Sequence, residues 1–419
     1  MANVQIRQSL SMLDKLHLMQ EDMRFDVADS EVSGTIESSP GPVLPAALQR
    51  IKAGIVAPKT PPKVPKVMLS NDCIFNCSYC GCRSKNEHRG RYVNQPKEFA
   101  EMCHATAKAN GNKLFITSAI HQNPHYTEEL IIETMRILRM ELGFRGYIHA
   151  KIMPGCDPEL IQRAGLYANR MSVNIEVAKS EGYTMIAREK SRKNILTPMG
   201  KISRYIREAK EETGRHKPRF AFSQTTQLMA GGAGEDDATI LNLSHAMYDK
   251  YQLARVYYTA FTYIYPAQGY EERAEVRTPS WRPTRLYQAD RLMQLYGFTP
   301  EDITPTSAPN LSGDFDPKAA WALRNMHLFP VEVNTADYEM LIRIPGIGIT
   351  YAKRIIEARR QCKITHDVLT QLGVSLKRSR HFMTANGKFW GMDSSNVSLY
   401  ADVLRAPLED TRTIGMCER

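Results

Sequence analysis

The stretch Cys73-Ile-Phe-Asn-Cys77-Ser-Tyr79-Cys80 decides how the rest of the chain is interpreted. Its three cysteines have C-x3-C-x2-C spacing within one short loop. This spacing lets three thiolates bind three irons of a [4Fe–4S] cube and leaves the fourth iron without a protein ligand. The preceding stretch, Val67-Met-Leu-Ser-Asn, reads as a short apolar strand that ends in a polar loop. The cysteines are therefore expected just past the carboxyl end of a strand, where α/β barrels carry their chemistry.

Two other uses of these cysteines fit the sequence less well. Cys82 follows Cys80 by two positions, so four neighbouring cysteines could bind zinc. Structural zinc sites usually pair two separated C-x2–4-C halves, and a C-x-C end is cramped. A disulfide needs an oxidising compartment, and nothing in the sequence suggests export. Eight cysteines in 419 residues are ordinary for a reduced protein, and we expect a cytoplasmic location.

Length and composition predict a soluble protein of two or three domains. The chain is 42% hydrophobic and 24% charged, which fits a globular protein with a sizeable core. It has no apolar run near eighteen residues, so no membrane partner is expected. Its net charge of +10 at pH 7 favours a polyanionic partner.

Residues 66–305 alternate between predicted strands and predicted helices. This order is typical of a parallel sheet covered by helices, and it predicts an α/β fold of six strand–helix units. Strict alternation over 170–177 predicts a strand on which Ser172, Asn174 and Glu176 share one face. A helix is predicted over 201–212, and the fifth strand is predicted over 219–226.

Polar side chains near the ends of successive strands predict a ligand site, because a dry barrel interior should be apolar. A single residue of this kind usually faces solvent or a satisfied hydrogen bond. Five of them on successive strands favour a shared site. The five are Lys151, Asn174, Glu176, Gln224 and Thr226.

The three-cysteine loop, with Tyr79 before its last cysteine, resembles the radical S-adenosylmethionine (SAM) enzymes. The resemblance implies a partial (β/α)6 barrel and a [4Fe–4S] cluster held by Cys73, Cys77 and Cys80. It also implies that the open iron chelates SAM and that reductive cleavage yields methionine and a 5′-deoxyadenosyl radical. An external electron donor such as flavodoxin or ferredoxin would supply the electron.

The SAM-binding positions of that family carry over only in part. Tyr79 would lie against the adenine. The second strand of such barrels often ends in Gly-Gly-Glu, whereas this chain has Thr117-Ser118-Ala119, so the role would fall to the backbone or to Ser118. The fourth-strand position that binds the ribose or the methionyl end matches Glu176 and its neighbours. The cofactor-binding residues implied are Tyr79, Ser118, Lys151, Ser172, Asn174, Glu176 and Gln224.

Several stretches resemble one radical SAM subfamily assigned to DNA modification or repair, often encoded beside a uracil-DNA-glycosylase-like protein. The stretches are 69–80, 144–151, 170–176, 224–227, 255–258 and 285–290, and the match runs from about 65 to 390. The chain departs from the subfamily at Gly81, where Pro is usual, and at Thr117-Ser-Ala119, where Ser-Ser-Gly is usual. These departures leave room for another substrate, such as the amino-acid-decorated thymine that some bacteriophage radical SAM enzymes rearrange in hypermodified DNA.

Return of hydrogen to a substrate radical would need a donor. The candidates are Cys82, Cys103, Cys156, Tyr257, Tyr258 and Tyr263. Cys156, in the turn after the third strand, is the best placed thiol, and catalytic roles are assigned to Cys156 and Tyr258. Deoxyadenosine could instead return the hydrogen and regenerate SAM, and the sequence leaves this open.

A second motif lies at 341–356, where Pro345-Gly346-Ile347-Gly348 separates two predicted helices. The glycines allow a tight turn and let backbone N–H groups approach an anion at the start of the second helix. Followed by Ala-Lys-Arg-Ile-Ile, the turn resembles the helix-hairpin-helix motif of DNA-binding proteins. A degenerate copy follows at 372–380. The resemblance implies two packed hairpins that hold double-stranded DNA by its phosphates without reading sequence.

Charge supports a nucleic-acid partner for this region. Residues 341–390 contain ten Lys or Arg residues and two acids. Positive charge concentrated around phosphate-binding turns favours nucleic acid over a solvated face or a protein-binding hairpin, and RNA stays open as an alternative to DNA. The predicted nucleic-acid-binding residues are Gly346, Ile347, Gly348, Lys353, Arg354, Gly373, Lys377, Arg378 and Arg380.

The sequence therefore predicts four segments. They are an N-terminal helix and Pro-rich arm (1–65), a radical SAM partial barrel (66–305), an all-α helix-hairpin-helix domain (306–395) and a tail (396–419), with a linker at 299–317. The favoured hypothesis is a radical SAM enzyme that modifies or rearranges a DNA base or base substituent. Two alternatives stay open: a radical SAM enzyme that repairs a DNA lesion, and a DNA-binding iron–sulfur protein whose cluster is structural or senses redox state.

Overall fold

The computed structural model describes residues 15, 18–19, 64–86, 90–212, 220–263, 278–392 and 397–408. Its contacts divide the chain into two compact units, residues 1–234 with 247–277 and residues 235–246 with 278–419. The predicted arm at 1–65 and the end of the predicted tail lie almost entirely outside the described residues. The predicted domain boundaries stay predictions.

The first unit is built on one parallel sheet of six strands that lie side by side in sequence order. The strands are β1 (Lys66–Met68), β2 (Lys113–Thr117), β3 (Tyr147–Lys151), β4 (Arg170–Ser172), β5 (Ser223–Ala230) and β6 (Arg255–Ala260). The connecting helices are α1 (Pro96–Ala109), α2 (Pro124–Arg136), α3 (Pro158–Tyr167), α4 (Glu181–Ile186), α5 (Arg192–Glu211) and α6 (Asp237–Tyr251). The predicted α/β fold with six parallel strands in this order is confirmed.

Two element boundaries differ from the sequence prediction. Helix α5 begins at Arg192 rather than at Lys201, because the Ser191 side chain accepts a hydrogen bond from the Asn194 N–H (3.2 Å) and caps the helix there. Strand β5 lies at Ser223–Ala230 rather than at 219–226. This shift of four residues moves the ends of the strand but keeps the alternation of its side chains, because side chains alternate with a period of two.

One face of the sheet is packed as the core of the first unit. Val67, Ile116, Ala150 and Met171 are neighbours in register across β1 to β4, so their side chains point to the same side. All four are 0% exposed. This apolar row explains why the strands pair in this register, since a slip by one residue would expose the row.

The second unit is mainly helical and contains a small three-stranded sheet in addition to the expected helices. Its helices are α7 (Arg282–Tyr296), α8 (Pro300–Ile303), α9 (Pro317–Arg324), α10 (Tyr338–Arg343), α11 (Ile349–Ala358), α12 (His366–Gln371), α13 (Leu376–Ser379) and α14 (Val397–Leu404). Strand β7 (Val331–Glu332) pairs parallel to β8 (Met383–Ala385), which pairs antiparallel to β9 (Lys388–Phe389). A 3-10 turn covers Met326–Leu328.

Residues 299–317 are folded rather than an extended linker. A capping box between Thr299 and Asp302 begins α8. The Leu311 N–H donates to the Asp237 carboxylate (2.8 Å), and the Arg285 guanidinium donates to the carbonyl of Ser312 (2.9 Å). These bonds anchor the segment within the second unit.

The described part of the predicted tail is also folded, since it contains α14 and continues to residue 408. The Ala406 N–H donates to the Asp314 carbonyl (2.7 Å), and the Ala406 carbonyl accepts from Arg285 (2.6 Å). Among the described residues, no helix is long and apolar enough to cross a lipid bilayer.

Candidate functional site

The cysteine loop lies at the carboxyl end of β1, as the sequence predicts. Backbone bonding continues past the strand, because the Leu69 N–H donates to the Thr117 carbonyl (3.0 Å) and the Ile74 N–H to the Ile120 carbonyl (2.9 Å). The loop therefore starts against the segment that follows β2. Its cysteines come at the end of the sheet where parallel strands present their loops for chemistry.

The three cysteines lie close enough for their charges to affect one another, and Cys77 is buried whereas Cys73 and Cys80 are partly buried. Burial and, after it, the neighbouring charge of Cys80 raise the pKa of Cys73 to about 11. Burial also raises the pKa of Cys77, which is almost fully buried. A hydrogen bond from Cys82 lowers the pKa of Cys80 to about 7. Thiolates that repel each other in a dry loop need positive charge beside them, so this donor set fits a bound iron–sulfur cluster.

A site for one metal ion would need a different arrangement. Within the part of the chain that the structure describes, no three His, Cys, Asp or Glu side chains are grouped to hold a single ion. A [4Fe–4S] cube distributes its thiolates over separate irons, so its cysteines need not converge on one point.

A segment just after α4 holds the cysteine loop in place, and the sequence analysis missed it. The Ser78 N–H donates to the Ile186 carbonyl (2.9 Å), and the Asn76 N–H donates to the Glu189 carboxylate (3.1 Å). The Lys190 ammonium donates to the Tyr79 hydroxyl (3.0 Å). No sequence motif marks this segment, because its bonds to the loop depend in part on backbone N–H and carbonyl groups, which every residue except proline has.

Arg91 closes the other side of the loop and was also missed. Its guanidinium donates to the carbonyls of Asn71 (2.7 Å), Cys82 (2.7 Å) and Asn86 (3.1 Å). These carbonyls lie before and after the three cysteines. One planar cation therefore joins the two ends of the loop, a task for which the fixed fork of arginine is suited.

The predicted fourth strand is interrupted by a bulge. Ser172 pairs with Thr225, whereas Glu176 pairs with Leu228, so the β4 side has one more residue than β5 between these pairs. Glu176 has a φ of 64°, an unusual backbone angle for a residue other than glycine. Strict alternation over 170–177 therefore fails, and Ser172 and Glu176 do not share a continuous strand face.

Thr226 stabilises this bulge rather than a ligand. Its hydroxyl donates to the Val173 carbonyl (2.7 Å) and accepts from the Ile175 N–H (2.9 Å). Both backbone groups have left the regular ladder, so Thr226 satisfies polar groups that would otherwise be buried without partners.

The bulge directs Glu176 towards a buried ion pair. The Glu176 carboxylate accepts from the Lys190 ammonium at 2.6 Å, and the two side chains are only 3% and 11% exposed. Burial opposes the charged form of Lys190, but the charges of Glu176 and Cys77 outweigh burial and raise its pKa. Through Lys190, Glu176 is therefore connected to Tyr79 of the cysteine loop.

The other predicted cofactor-binding residues separate into two faces of the sheet. Lys151, Ser172 and Thr225 are in register and share one face. The pKa of Cys80 is lowered mainly by a hydrogen bond from Cys82, and the charge of Lys151 lowers it as well. This face of the sheet therefore adjoins the cysteine loop. Gln224 lies on the opposite face, which places it away from Lys151. The cofactor-binding role of Gln224 stays a prediction, and the pairing of β4 with β5 sets its side chain in line with Met171 rather than with Lys151.

Gln224 instead faces the helices. It pairs with Met171 and so lies on the same face as the buried apolar side chains of β1 to β4. Its amide donates to the Tyr251 carbonyl at the end of α6 (3.4 Å). Thr226, which was predicted to share the ligand face, lies on the same side of β5 as Gln224.

The pairing of β5 with β6 separates the two neighbouring tyrosines that are candidate hydrogen donors. Thr225 pairs with Arg255 and Gln227 with Tyr257, so Tyr257 shares the face of Lys151. Tyr258 pairs with Leu228 on the opposite face. The catalytic role of Tyr258 stays a prediction. Asn174 lies next to the face of Tyr257, because its amide donates to the side chain of Gln227 (3.1 Å), the residue that pairs with Tyr257.

Two further predicted residues lie in loops at the carboxyl ends of strands. Ser118 follows β2, and its hydroxyl donates to the Ala119 carbonyl (2.7 Å). Cys156 lies buried in the turn after β3, where its N–H donates to the Met153 carbonyl (3.2 Å). Burial raises the pKa of Cys156, so its thiol keeps its hydrogen. The roles of Ser118 and Cys156 stay predictions.

Glu128 supports the turn that carries Cys156, and no pattern in the sequence pointed to it. The fully buried carboxylate accepts from the Met153 N–H (2.8 Å). Burial raises the pKa of Glu128 to about 8. Its charge also contributes, after burial, to the raised pKa of Cys156. The carboxyl group thus fixes the turn and disfavours the Cys156 thiolate.

The second unit contains both predicted hairpins. The first runs from α10 through the turn at 344–348 to α11, and the second from α12 through Gly373 to α13. Gly346 and Gly373 have φ values of 92° and 84°, which explains glycine at both turns. A Cβ on Gly346 would lie 3.3 Å from the Ser379 backbone nitrogen, so the first turn packs against α13.

The positive residues of the hairpins divide into exposed and internal ones. Lys353, Lys377 and Arg380 are exposed. Arg354 is exposed as well, but it donates to the Leu372 carbonyl (2.9 Å) and so joins the two hairpins. Arg378 is bound to the Asp316 carboxylate (2.6 Å) within the second unit, and its predicted contact with nucleic acid stays a prediction.

Ile347 is also internal. Its side chain is 0% exposed, and its N–H donates to the Ile344 carbonyl (3.0 Å). The N–H that would bind a phosphate is therefore already used. The Ile347 carbonyl accepts from the ammonium of Lys318, whose pKa burial lowers to about 7. Lys318 lies on α9, well before the hairpin in the sequence, and no pattern revealed it.

Comparison with known proteins gives one family match and several structural similarities. A family described as "Helix-hairpin-helix motif" matches residues 329–366, which include the first hairpin. No curated protein matches the sequence.

Three solved structures illustrate the structural similarity. One is HydG, a maturase of the [FeFe]-hydrogenase, with 14% identity and a TM-score of 0.41 over 54% of this chain and 49% of that one. Another is methylornithine synthase (PylB), with 17% identity and a TM-score of 0.43 over 55% of this chain and 61% of that one. The third is the FeFe-hydrogenase maturase HydG from Carboxydothermus hydrogenoformans, with 17% identity and a TM-score of 0.40 over 55% and 51%. The matched region spans about half to three fifths of these proteins.

Proposed function

We propose that this chain is a radical SAM enzyme that acts on DNA and modifies or rearranges a base or a base substituent. The observation that carries the proposal is the cysteine loop at the carboxyl end of β1, with its three neighbouring thiols and the ion pair that supports it. The helix-hairpin-helix match at 329–366 supports a nucleic-acid substrate.

Cys73, Cys77 and Cys80 would hold a [4Fe–4S] cluster, and an external reductant such as flavodoxin or ferredoxin would supply the electron. When bound, the cluster and SAM together provide a 5′-deoxyadenosyl radical that removes hydrogen from a substrate. The protein does not need a strong base for this chemistry. Its residues bind and orient the ligands and keep water away from them.

The geometry suggests which residues would do this. Lys151 and Ser172, on the sheet face that adjoins the cysteine loop, would bind the polar end of SAM. Tyr79 would pack against the adenine, with its hydroxyl held by Lys190. Glu176 fixes Lys190 and so orients the loop, and Cys156 would offer a protonated thiol near the same end of the sheet.

The second unit would hold the DNA. The exposed side chains of Lys353, Lys377 and Arg380 would bind phosphates, and the glycine turns would let the DNA backbone approach. Such contacts do not read sequence, so the chemical identity of the base would be recognised in the first unit. A base inside a duplex has to leave the stack before an enzyme can act on its atoms.

Anaerobic reconstitution with iron and sulfide, followed by SAM and dithionite with and without duplex DNA, tests the proposal. Formation of 5′-deoxyadenosine is expected, and mass analysis of the DNA after digestion to nucleosides should show a changed base. A product found only on damaged DNA would favour repair instead. A reconstituted protein that leaves SAM intact with every DNA would favour a structural or redox-sensing cluster.

A further inference from the structure

Trp390, just after β9, is an exposed aromatic side chain that is nevertheless held in place. Its indole is stacked on the imidazole of His366, with ring centroids 3.9 Å apart and planes at 7°. His366 is buried, whereas Trp390 is 49% exposed. The protein therefore fixes the indole against one buried ring and leaves about half of the side chain open to solvent.

The backbone around Trp390 is fixed as well. Before it, the N–H groups at the Asn386–Gly387 turn donate to the Glu332 carboxylate (3.1 and 2.9 Å). After it, the Met392 N–H donates to the His381 ring (3.2 Å). An aromatic side chain that is already ordered loses little conformational entropy when it binds a ligand.

Positive charge accompanies the open indole. Lys388 lies in β9 and precedes Trp390 by two residues. Burial lowers the pKa of His366, and Lys388 lowers it further against the charges of Asp367 and Glu332, so Lys388 acts on the stacked rings. A flat apolar surface beside an ammonium group matches a nucleotide, which has a flat base beside a phosphate.

We propose that Trp390 stacks on an unpaired base of bound DNA, with Lys388 binding the adjacent phosphate. The inference rests on the proposed function, in which the second unit binds duplex DNA. Hairpin contacts to phosphates do not distinguish paired from unpaired bases, whereas an aromatic platform does. The ligand is thus a nucleotide that has lost its partner within a duplex, as when the opposite base has left the stack.

Binding of the full chain to two labelled duplexes tests this, one fully paired and one with a single bulged nucleotide at its centre. Fluorescence anisotropy should show that wild-type protein binds the bulged duplex about tenfold more tightly. Trp390→Ala should bind both duplexes alike, and Trp390→Phe should keep most of the preference. Phe222→Ala, which removes an exposed aromatic ring from the first unit, is the matched control and should keep it fully.

Two further measurements separate stacking from folding. Bulged DNA should quench the tryptophan fluorescence of the wild-type protein more than that of Trp390→Phe, although both retain Trp281 and Trp321. Lys388→Ala leaves the stacked rings in place and should weaken binding to the bulged duplex more than to the paired one. Equal weakening would overturn the phosphate contact.

The outcomes distinguish this inference from the proposed function. If Trp390→Ala keeps the wild-type preference, or if the wild type has no preference, the stacking inference is overturned while duplex binding still supports the proposed function. If neither duplex binds, the DNA part of the proposed function fails, and this inference fails with it. Tighter binding of the matching bulged RNA would overturn the assignment to DNA.

Discussion

The cysteine loop and the first hairpin turn each rest on a partly buried lysine, and the surroundings of the two lysines differ. Lys190 lies 2.6 Å from the carboxylate of Glu176 and also binds the Tyr79 hydroxyl. Lys318 donates to the Ile347 carbonyl, a neutral group. Burial opposes the charge of both, but only Lys190 has enough negative charge beside it, so its pKa is raised while that of Lys318 falls to about 7.

The difference shows that burial alone does not decide the charge of a lysine. A full countercharge keeps Lys190 cationic next to thiols that must carry negative charge when they bind a metal cluster. A carbonyl does not compensate for the lost hydration of Lys318, and Asp316 only partly offsets it. The cysteine loop thus has a permanent cation below it, whereas the charge below the hairpin depends on pH.

The largest expected effect comes from a substitution that should abolish the function of the cysteine loop and leave that of the first hairpin turn unchanged. Cys77→Ala removes the most buried of the three thiols, so we expect loss of the iron–sulfur absorbance and of 5′-deoxyadenosine formation. Duplex binding, measured by anisotropy, should stay unchanged because the hairpins are untouched. Cys362→Ala, at an exposed cysteine of the second unit, is the control and should keep cluster and activity. If Cys77→Ala protein still binds the cluster as the wild type does, the proposal that Cys73, Cys77 and Cys80 are its ligands is contradicted.

The next effect concerns the ion pair. Lys190→Met leaves Glu176 buried and unpaired, so the first unit should lose about 3–5 kcal/mol of stability. Native-state hydrogen exchange of amides in β1 and β4 measures this without unfolding the second unit. Adding Glu176→Gln should restore part of the loss, and Arg188→Met, at an exposed neighbouring cation, should change stability by less than about 0.5 kcal/mol. Equal losses from Lys190→Met and Arg188→Met would contradict the buried pair.

The sequence predicted the parts of the molecule that have short-range patterns. The three cysteines, the six strand–helix units and the glycines of both turns are all visible in local spacing or alternation. Lys190, Arg91 and Lys318 were missed, because each acts on backbone or side-chain groups far away in the chain. A lone basic residue in a helix or loop looks the same whether it faces water or supports a turn.

Register was the other limit of sequence reasoning. Alternation over 170–177 is a real pattern, but a bulge opposite Thr226 ends the regular strand at Ser172. The pairing of β4 with β5 sets Gln224 on the face opposite Lys151, and the pairing of β5 with β6 sets Tyr258 on that opposite face as well. Strand periodicity predicts which residues alternate, but the pairing with neighbouring strands decides which set faces the site.

The pH dependence of the second unit sharpens the contrast between the lysines. Lys318 has a pKa of about 7 in the folded protein and about 10.4 when unfolded. Between these values the unfolded chain binds a proton that the folded chain lacks, so the free energy of unfolding should rise by up to about 1.4 kcal/mol per pH unit from pH 7 upward. Below pH 7 both states are protonated and this slope should vanish.

Hydrogen exchange of second-unit amides at pH 6 to 9 measures that slope, with rates corrected for intrinsic exchange. Lys318→Met has no proton to lose and should reduce the slope above pH 7. Lys363→Met, at an exposed position, should keep the wild-type slope. If Lys318→Met and wild-type protein show the same slope, Lys318 is charged throughout this range and the contrast with Lys190 disappears.

The smallest expected effect distinguishes the exposed and internal cations of the hairpins. Lys353 is exposed, so Lys353→Ala should reduce the slope of log affinity against log salt by about 0.9 for one lost phosphate contact on duplex DNA. Arg378 is held by Asp316, so Arg378→Ala should leave the salt slope unchanged while it destabilises the second unit. Anisotropy titrations over a range of salt concentrations compare the two variants, with Arg360→Ala, an exposed cation already paired with Glu357, as the control. A reduced slope for Arg378→Ala would mean that the Asp316 pair opens when DNA binds, whereas an unchanged slope for Lys353→Ala would move the DNA away from the first hairpin.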